Sequence, residues 1–365
     1  MTSSAVIDKV IRFESVGGPE VTSIYRALPR TELEPSFRLV TMTGDGALFQ
    51  GFTVSNNIVR GEAFSGSAIL CQNSTVSNCV FSENDGPWGS LGATVMNIDG
   101  LVTHSRICNN TGGAGDGFGV CQSGERALTR ACSICNNHET SYYCHGAAVV
   151  YGGVLDSCVI TGNVVQVNGK GGYSCGVKLE GEGGLVKNCL IAWNQGGSGG
   201  GGISAKNGAI VNCTVVSNRC TGTASIRAGG IAFTSGLEQD SVGVTNCIVY
   251  GNHNTRADGT SACAHDAAIH EKATVFLSHT LLDGWEVIDP DASDCQNGDP
   301  LFVDFEGGDW HLAKGSPCRD AGVTLDFMQG GCDLDGRPRV VHRDRVDLGC
   351  YEADYIAPSL ILMLR

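Results

Sequence analysis

The sequence predicts an all-β protein built as a single-stranded parallel β-helix of about nine to eleven rungs with a C-terminal cap. Three observations predict this solenoid: a short phrase around a Cys recurs along the chain, its residues alternate as in β-strands, and glycine interrupts every repeat. Successive copies lie 24 to 34 residues apart, a period typical of repeat arrays. We therefore expect one elongated domain over the 365 residues rather than two or three globules.

The repeated phrase is clear in GAIVNCTVVSN (208–218), VLDSCVITGN (154–163) and GVTNCIVYGN (243–252). One residue per repeat forms its central column: Phe52, Cys79, Ser105, Cys132, Cys158, Cys189, Cys213, Cys247 and Ser278. A second apolar column, usually preceded by Gly or Ala, lies between these positions: Ile69, Val95, Val120, Val149, Val177, Ile203, Ile231 and Ile269. Each repeat therefore carries at least two short apolar stretches.

Alternation indicates that these stretches are strands. Two residues after the central column the side chain is apolar and mostly β-branched, as in Ile160, Ile191 and Val215, while the residue between them varies. The alternation jumps by one residue just before the column, which a bend between two strands would produce. No stretch has a long helical period, and 52 glycines supply turns. Strands that pair with their copies about 4.8 Å away would stack nine rungs into a rod about 40 Å long.

An asparagine closes each phrase, and we interpret this column as structural. Its members are Asn57, Asn84, Asn110, Asn137, Asn163, Asn194, Asn218, Asn252 and finally Asp283. Asn tolerates left-handed backbone at a corner, and side-chain amides in register can hydrogen-bond along the rod. A residue type repeated on every rung cannot define one site, so neither this column nor the Cys column is expected to be catalytic.

The 18 cysteines fall into two groups. Those of the central column are expected to be small buried thiols beside the bend. Outside that column the candidate disulfides, each left open, are Cys108–Cys135 on neighbouring rungs, Cys144–Cys175 in successive loops and Cys318–Cys350 near the C-terminus. No CxxC pair recurs with the spacing of a zinc ribbon, so we predict no metal site there.

Charge and the termini restrict the partners. The net charge is −14, with 38 acidic against 24 basic residues and no basic stripe, which argues against nucleic acid. No signal peptide is visible, and the apolar end of the chain is shorter than the ~20 residues that span a bilayer. We divide the chain into β-helix repeats (1–283), C-terminal rungs and cap (284–355) and an apolar tail (356–365).

Long loops follow the Asn column and leave the same corner of successive rungs, so we expect their side chains to line one edge. With two lysines of the second strand, the candidate ligand-binding residues are Tyr142, Tyr143, His145, Lys170, Tyr173, Lys178 and Lys206. Aromatic rings can stack on sugars, and cations can hold carboxylates. Long loops in compact repeats tend to be functional, although a solvated edge is the open alternative. No catalytic residue can be assigned.

An Asp-rich turn, DLDG (333–336), raises the question of Ca²⁺. It lacks the spacing of an EF-hand, and turn chemistry explains it better. Ca²⁺ stays an open possibility, and no other cofactor is predicted.

The C-terminal stretches DPLFVDFEGGDWHLAKGSPCRDAG (299–322) and DLDGRPRVVHRDRVDLGCYE (333–352) resemble the terminal module of bacterial secreted right-handed parallel β-helix proteins of the choice-of-anchor Q type. GSAI (66–69) and FSEN (81–84) are similar to repeats of polymorphic outer-membrane proteins. The resemblance implies a pectate-lyase-like fold, a C-terminal segment that wraps the last rung, and an extracellular or cell-surface location. It implies no reaction, because that fold hosts lyases, hydrolases, adhesins and spikes.

We find none of the motifs of polygalacturonase-like hydrolases, pectate lyases or pectin methylesterases. The sequence therefore favours a secreted or cell-surface protein that binds a polysaccharide or cell-surface glycan, or serves in adhesion, without catalysis. The alternative is a lyase or glycoside hydrolase that acts on acidic polysaccharide through an unrecognised site. A phage-type spike is a third, and it would need trimerisation segments that we do not find.

Overall fold

The computed structural model describes residues 4–26, 37–59, 66–86, 93–112, 117–139, 145–165, 174–197, 199–222, 227–234, 240–255, 261–262, 266–292, 294–340 and 345–353. These residues form a right-handed parallel β-helix, which confirms the predicted fold class. Three parallel sheets, which we name A, B and C, run the length of the solenoid, and each has ten strands among the described residues. One strand of each sheet, in the order A, B, C, makes one rung.

Most strands are three or four residues long, as expected for one side of a narrow coil. Sheet A contains Ala5–Ile7, Val40–Met42, Ile69–Gln72, Val95–Ile98, Val120–Ser123, Ala148–Val150, Val177–Leu179, Ile203–Ala205, Ile231–Phe233 and Ala267–Ile269. Sheet B contains Arg12–Glu14, Leu48–Gln50, Thr75–Ser77, Leu101–Thr103, Leu128–Arg130, Val154–Asp156, Leu185–Lys187, Gly208–Val211, Ser241–Thr245 and Thr274–Ser278. Sheet C contains Ser23–Tyr25, Thr53–Ser55, Val80–Ser82, Arg106–Cys108, Ser133–Cys135, Val159–Thr161, Leu190–Ala192, Thr214–Val216, Ile248–Tyr250 and Leu281–Leu282.

Smaller elements decorate this frame. Two short sheets extend sheet C at the corner: Thr111–Gly112 with His138–Glu139 and Val164–Val165, and Arg219–Cys220 with His253–Thr255 and Ser261–Ala262. The C-terminal part contains a helix, Trp285–Ile288, a 3₁₀ turn, Asp326–Met328, and two antiparallel pairs, Phe302–Asp304 with Asp309–Leu312 and Gly322–Val323 with Arg345–Val346.

Alternation along each strand sends every second side chain inward, so the core is one continuous apolar column inside the coil. The register corrects two members of the predicted second column. Val120 pairs with Ala148, so Val149 points to the outer side, and Ile231 pairs with Ala267 rather than Ile269.

The bend predicted between two strands lies between sheets B and C. The residue just before the central column is left-handed on successive rungs, including Asn78 (φ 48°), Ser157 (φ 52°) and Asn246 (φ 54°). The column thiols are buried, and burial raises the pKa of Cys79 to about 11, so it is a neutral filler. The last member of the column is Thr280 rather than the predicted Ser278, because its Oγ1 accepts the hydrogen bond of Cys247 N–H.

The closing asparagines form a buried ladder at the corner after sheet C. The Oδ1 of Asn137 accepts from both the backbone N–H and the Nδ2 of Asn110, at 3.0 and 2.9 Å, and the same pair of bonds recurs from rung to rung. The left-handed residue is the one before the ladder, as at Asn136 (φ 51°), and not the ladder residue itself. The predicted left-handed role of the ladder residues is therefore wrong, while their amide pairing is confirmed.

An aspartate ends the ladder, but it is not the predicted one. Asp266 Oδ1 accepts from the backbone N–H and the Nδ2 of Asn252, at 2.8 and 2.9 Å. Asp283 instead is exposed and accepts the N–H of Gly298. Asp266 comes from the start of the next rung, so spacing after the central column could not locate it.

Of the three candidate disulfides, the structure confirms one. Cys108 and Cys135 are joined, with their Cα atoms 4.6 Å apart on neighbouring strands of sheet C. Cys318 and Cys350 are both buried thiols, so the pairing expected between them is wrong. Cys144 lies outside the described residues, and Cys175 is a buried thiol.

The C-terminal part does two different things. Residues 284–292 and 294–297, the closing segment, lie over the last rung, where Ile288 is buried in the core and Trp285 packs beside it. Residues 299–340 and 345–353, the side segment, pack along the outer faces of sheets B and C, from Leu185–Lys187 and Leu190–Ala192 to Leu281–Leu282. The closing segment covers the core of the last rung, whereas the side segment contacts that rung from the outside, at Leu281, and also runs along earlier rungs.

We predict that Asp266 makes the protein less stable as the pH rises. Burial raises the pKa of Asp266 to about 6, above the ordinary value of 3.8 that it regains on unfolding. Between these values the folded chain holds more protons, so stability falls with rising pH, by about 3 kcal/mol in total. Asp266→Asn removes this contribution and keeps the acceptor. Urea unfolding from pH 4 to 7 should show the free energy of unfolding of wild type falling relative to D266N, and a pH-independent difference would contradict the prediction.

Candidate functional site

Four of the seven candidate residues, Tyr142, Tyr143, Lys170 and Tyr173, lie outside the described residues. The other three lie along sheet A. His145 forms a bridge with Ser174 just before the sheet A strands, Lys178 is the middle residue of its strand, and Lys206 follows the next strand. The edge as a whole therefore stays a prediction.

The two lysines are engaged by acidic neighbours. Lys178 is paired with Glu180, its side chain is 12% exposed, and its Nζ lies 5.9 Å from the ring centroid of Tyr151. Lys206 Nζ lies 4.0 Å from Asp240. Lys178 pairs in register with Ser204 and not with Lys206. The structure thus does not bring the two lysines together as one cationic site.

The outer face of sheet A next to these lysines is apolar. Met96, Cys121 and Val149 form a small cluster there, and each is at most 1% exposed. This part of the outer face of sheet A offers few groups that could hold a sugar hydroxyl.

A different site lies where the side segment meets sheet C. Tyr250, Phe302 and Phe305 form what we name the aromatic cleft, with ring centroids 5.4 to 6.3 Å apart. The cleft encloses about 560 Å³ and all three rings are half-buried, so each keeps one part towards solvent. Its remaining lining includes Asp299, Asp304, Glu306, Lys314 and the exposed Leu301 and Val303.

Local backbone chemistry positions these rings. Tyr250 is the last residue of its sheet C strand and points outward, while its neighbour Val249 points into the core. The Phe302–Asp304 strand pairs with Asp309–Leu312, and the turn between them is fixed by Asp304 Oδ1, which accepts Gly307 N–H at 2.9 Å. The hairpin therefore presents Phe302 and Phe305 to Tyr250.

Two residues at the cleft have left-handed backbone, which is unfavourable for Leu301 and ordinary for Gly251. Leu301 has φ 54°, and its N–H donates to Asp299 Oδ1 at 2.8 Å. Gly251 has φ 63°, and a Cβ there would lie 2.5 Å from Phe305 Cζ. A glycine at that corner thus lets Phe305 approach the solenoid closely.

The electrostatics of the cleft are acidic. Asp299, Asp304 and Glu306 stand against one lysine, Lys314, among the lining residues. Burial, followed by the charge of Asp299 and of other nearby carboxylates, raises the pKa of Tyr250. The Tyr250 hydroxyl is therefore protonated at neutral pH and can donate as well as accept a hydrogen bond.

A tryptophan extends the aromatic surface on the same face. Trp193 is 47% exposed, follows a sheet C strand and packs on buried Trp310 with ring centroids 4.5 Å apart. Its backbone is left-handed (φ 55°), at a corner where other rungs use residues such as Asn109 or Ser217. A large ring in that conformation costs on the order of 1–3 kcal/mol, and such strain is common at binding sites.

A buried ion pair anchors the side segment that carries the cleft. Arg339 is 1% exposed and donates to Glu352 Oε1 at 2.9 Å, to Gly349 O at 2.9 Å and to Asn188 Oδ1 of the solenoid at 3.0 Å. Burial raises the pKa of Glu352 to about 8, against the opposing attraction of Arg339. Asp333 of the DLDG turn accepts backbone N–H groups, including that of Arg337, which is the turn chemistry expected there.

Sequence reasoning missed this cleft. Phe302 and Phe305 lie within the stretch that carries the family resemblance, and Tyr250 lies in a repeat, yet nothing periodic connects them. The only available signal was the density of aromatic residues in LFVDFEGGDW (301–310), beside acidic ones.

Comparisons with known proteins support the fold. No protein-family model and no curated protein matches the chain. The crystal structure of the pectate lyase Pel9A is similar over 96% of this chain and 83% of that chain, with a TM-score of 0.53 and 13% identity. The catalytic domain of a GH87 alpha-1,3-glucanase is a weaker match, with a TM-score of 0.28 and 13% identity over 81% of this chain and 63% of that chain. The chain thus has the pectate-lyase-like parallel β-helix fold. Among the described residues, no helix is long and apolar enough to cross a membrane.

We predict that Arg339→Ala loosens the side segment from the solenoid. The change leaves the acceptors Glu352 Oε1, Gly349 O and Asn188 Oδ1 buried without their donor, and each unsatisfied buried polar group typically costs about 1–3 kcal/mol. Arg345→Ala, an exposed arginine of the same segment, is the control and should cost under about 1 kcal/mol. Guanidinium unfolding followed by tryptophan fluorescence, which includes Trp193 and Trp310, measures both variants. Equal, small losses would contradict the anchoring role.

Proposed function

We propose that this protein is a secreted or cell-surface β-helix that binds a neutral polysaccharide through the aromatic cleft, without catalysis. The observation that supports this proposal is the set of three half-buried rings in one cleft rimmed by carboxylates. Aromatic rings present flat apolar faces to the C–H faces of sugars. A largely apolar concavity with a few convergent polar groups is the usual form of a small-ligand site.

The carboxylates favour hydroxyl-rich ligands over acidic ones. Asp299, Asp304 and Glu306 are hydrogen-bond acceptors when ionised, and sugar hydroxyls are donors. A uronate would bring its own negative charge to these groups, on a chain whose net charge is −14. Like charges at an interface suppress a partner, so neutral glycan is the better fit.

The described contacts favour binding over turnover. Asp299 and Asp304 each use an oxygen to accept a backbone N–H, which ties them to turn formation. Canonical glycoside hydrolysis needs two carboxyl groups that exchange protons or attack the sugar. Lys178, the lysine that could have served as a lyase base on sheet A, is paired with Glu180 and mostly buried.

The secreted or surface location rests on sequence resemblance. The described residues of the choice-of-anchor-like stretches at 299–322 and 333–352 belong to the side segment, which packs on sheets B and C. The structural neighbour Pel9A is a pectate lyase, which also fits a protein that meets polysaccharides. The predicted loop edge, with Tyr142, Tyr143, Lys170 and Tyr173, would be a second contact surface for a long glycan chain.

We predict that the ring of Tyr250 and the carboxylate of Glu306 each contribute to the affinity for glycan, and that substitutions measure the two contributions separately. Calorimetric titration uses dextran, a soluble β-glucan, galactomannan and polygalacturonate as probes. Tyr250→Ala should weaken binding of a neutral probe at least ~10-fold, because stacking contributes about 1 kcal/mol or more, whereas Tyr250→Phe keeps the ring and should stay within ~3-fold. Glu306→Ala should weaken it ~3–10-fold.

The control is Glu182→Ala, an exposed carboxylate on the turn after a sheet A strand, which should bind as wild type does. Binding of polygalacturonate alone would contradict the neutral-ligand proposal. Release of reducing ends, or absorbance at 235 nm from unsaturated uronates, would overturn the non-catalytic part of the proposal in favour of a hydrolase or a lyase.

A further inference from the structure

The first rung is the most apolar exposed region of the described chain. It consists of the strands Ala5–Ile7, Arg12–Glu14 and Ser23–Tyr25 with their turns. Its exposed large apolar residues are Val6, Val10, Ile11, Phe13, Val16, Val21 and Tyr25. Among the described residues each of its strands is the edge of a sheet, and an edge strand beside apolar side chains is a template for pairing with another chain.

The two ends of the solenoid differ. At the last rung the closing segment, with the buried Ile288, lies over the core. A head-to-tail stack of copies would have to displace that segment. Between two copies of this chain, the first rung of one can therefore meet the first rung of the other without rearrangement. Such a contact is two-fold symmetric, and it ends at a dimer because both copies use the same surface.

An aromatic cluster lies at the first rung, and its outermost ring is partly exposed. The ring centroids of Phe13, Phe49 and Phe52 lie 4.6 to 5.8 Å from one another. Phe49 is fully buried, whereas Phe13 is 42% exposed. A second Phe13 across a two-fold axis would add to this cluster and cover the exposed part of both Phe13 rings.

The middle strand of the first rung is complementary to itself. It reads Arg12, Phe13, Glu14. In antiparallel pairing centred on Phe13, Arg12 of one copy lies opposite Glu14 of the other, and Glu14 lies opposite Arg12. Opposite charges directly across an antiparallel pair are favourable, and like charges are unfavourable. The same rotation sets Ala5–Ile7 of one copy opposite Ser23–Tyr25 of the other. These two strands have the same length, so they can pair in full.

We propose that a second copy of this chain covers the first rung, in a head-to-head dimer with Phe13 at its centre and the Arg12 and Glu14 charges paired across it. The surface lies on the first rung and the aromatic cleft on the ninth, so this proposal does not depend on glycan binding. In a single copy Arg12 and Glu14 bond to each other at 2.7 Å on the surface. Such exposed pairs contribute little to stability, so charge reversal should leave the fold of each copy intact.

The test exchanges charges within the purified full-length chain. Sedimentation equilibrium measures the mass of wild type, of Arg12→Glu, of Glu14→Arg, of the double variant R12E/E14R and of a mixture of the two single variants. Wild type should be a dimer. Each single variant sets like charges against each other twice and should raise the dimer dissociation constant at least ~10-fold. The double variant and the mixture restore opposite charges and should restore the dimer.

Arg106→Glu, an exposed arginine in the middle of the solenoid, is the matched control and should stay dimeric. Thermal unfolding confirms that each variant is folded. A monomeric wild type at 100 μM would overturn the proposal, as would dimers that tolerate both single variants. Single variants that dissociate but do not recombine in the mixture would assign the surface to a different partner and overturn it as well.

Discussion

The buried asparagine ladder is the constraint on which the rest of this solenoid depends. Each rung has to turn the corner after sheet C, and the turn leaves backbone N–H groups without a strand partner. An in-register amide oxygen accepts those groups, as Asn194 does for Asn163, and the amide nitrogen reaches a carbonyl one rung back, as from Asn194 to Ile160. A rung with a different residue there would leave buried polar groups unsatisfied, so the ladder fixes the register of all three sheets.

The ladder also decides which residues can carry function. Trp193 lies one residue before Asn194, and Tyr250 lies two residues before Asn252. Because the ladder residues point inward, Tyr250 has to point outward, and Trp193 occupies the left-handed corner. The side segment then lies against this outer face of sheet C and supplies Phe302 and Phe305. The aromatic cleft thus lies on a face of the coil to which the side segment adds a second layer of chain.

The repeating features of the fold could be predicted from the sequence, whereas the last rung and the aromatic cleft could not. Alternation and the Asn column were sufficient for the strands, the bend and the ladder, because identical rungs impose identical chemistry at identical spacing. Asp266 and Thr280 were missed in favour of Asp283 and Ser278, since the last rung changes its loop lengths and the spacing no longer holds. The aromatic cleft joins Tyr250 to residues more than fifty positions later, through packing of a non-repeating segment, and no local pattern reports such a contact.

The placement of the cleft and of the open first rung gives the proposed assembly a consequence for binding. Tyr250 lies on the ninth of ten rungs, so at about 4.8 Å per rung the cleft is about 40 Å from the first rung. Two copies joined at their first rungs would hold two clefts about 80 Å apart on a stiff rod. A long polysaccharide presents many equivalent segments, so the second cleft would bind at high effective concentration, and weak single contacts would sum to strong attachment. A short oligosaccharide cannot reach both clefts across about 80 Å, so this gain in affinity applies to long chains only.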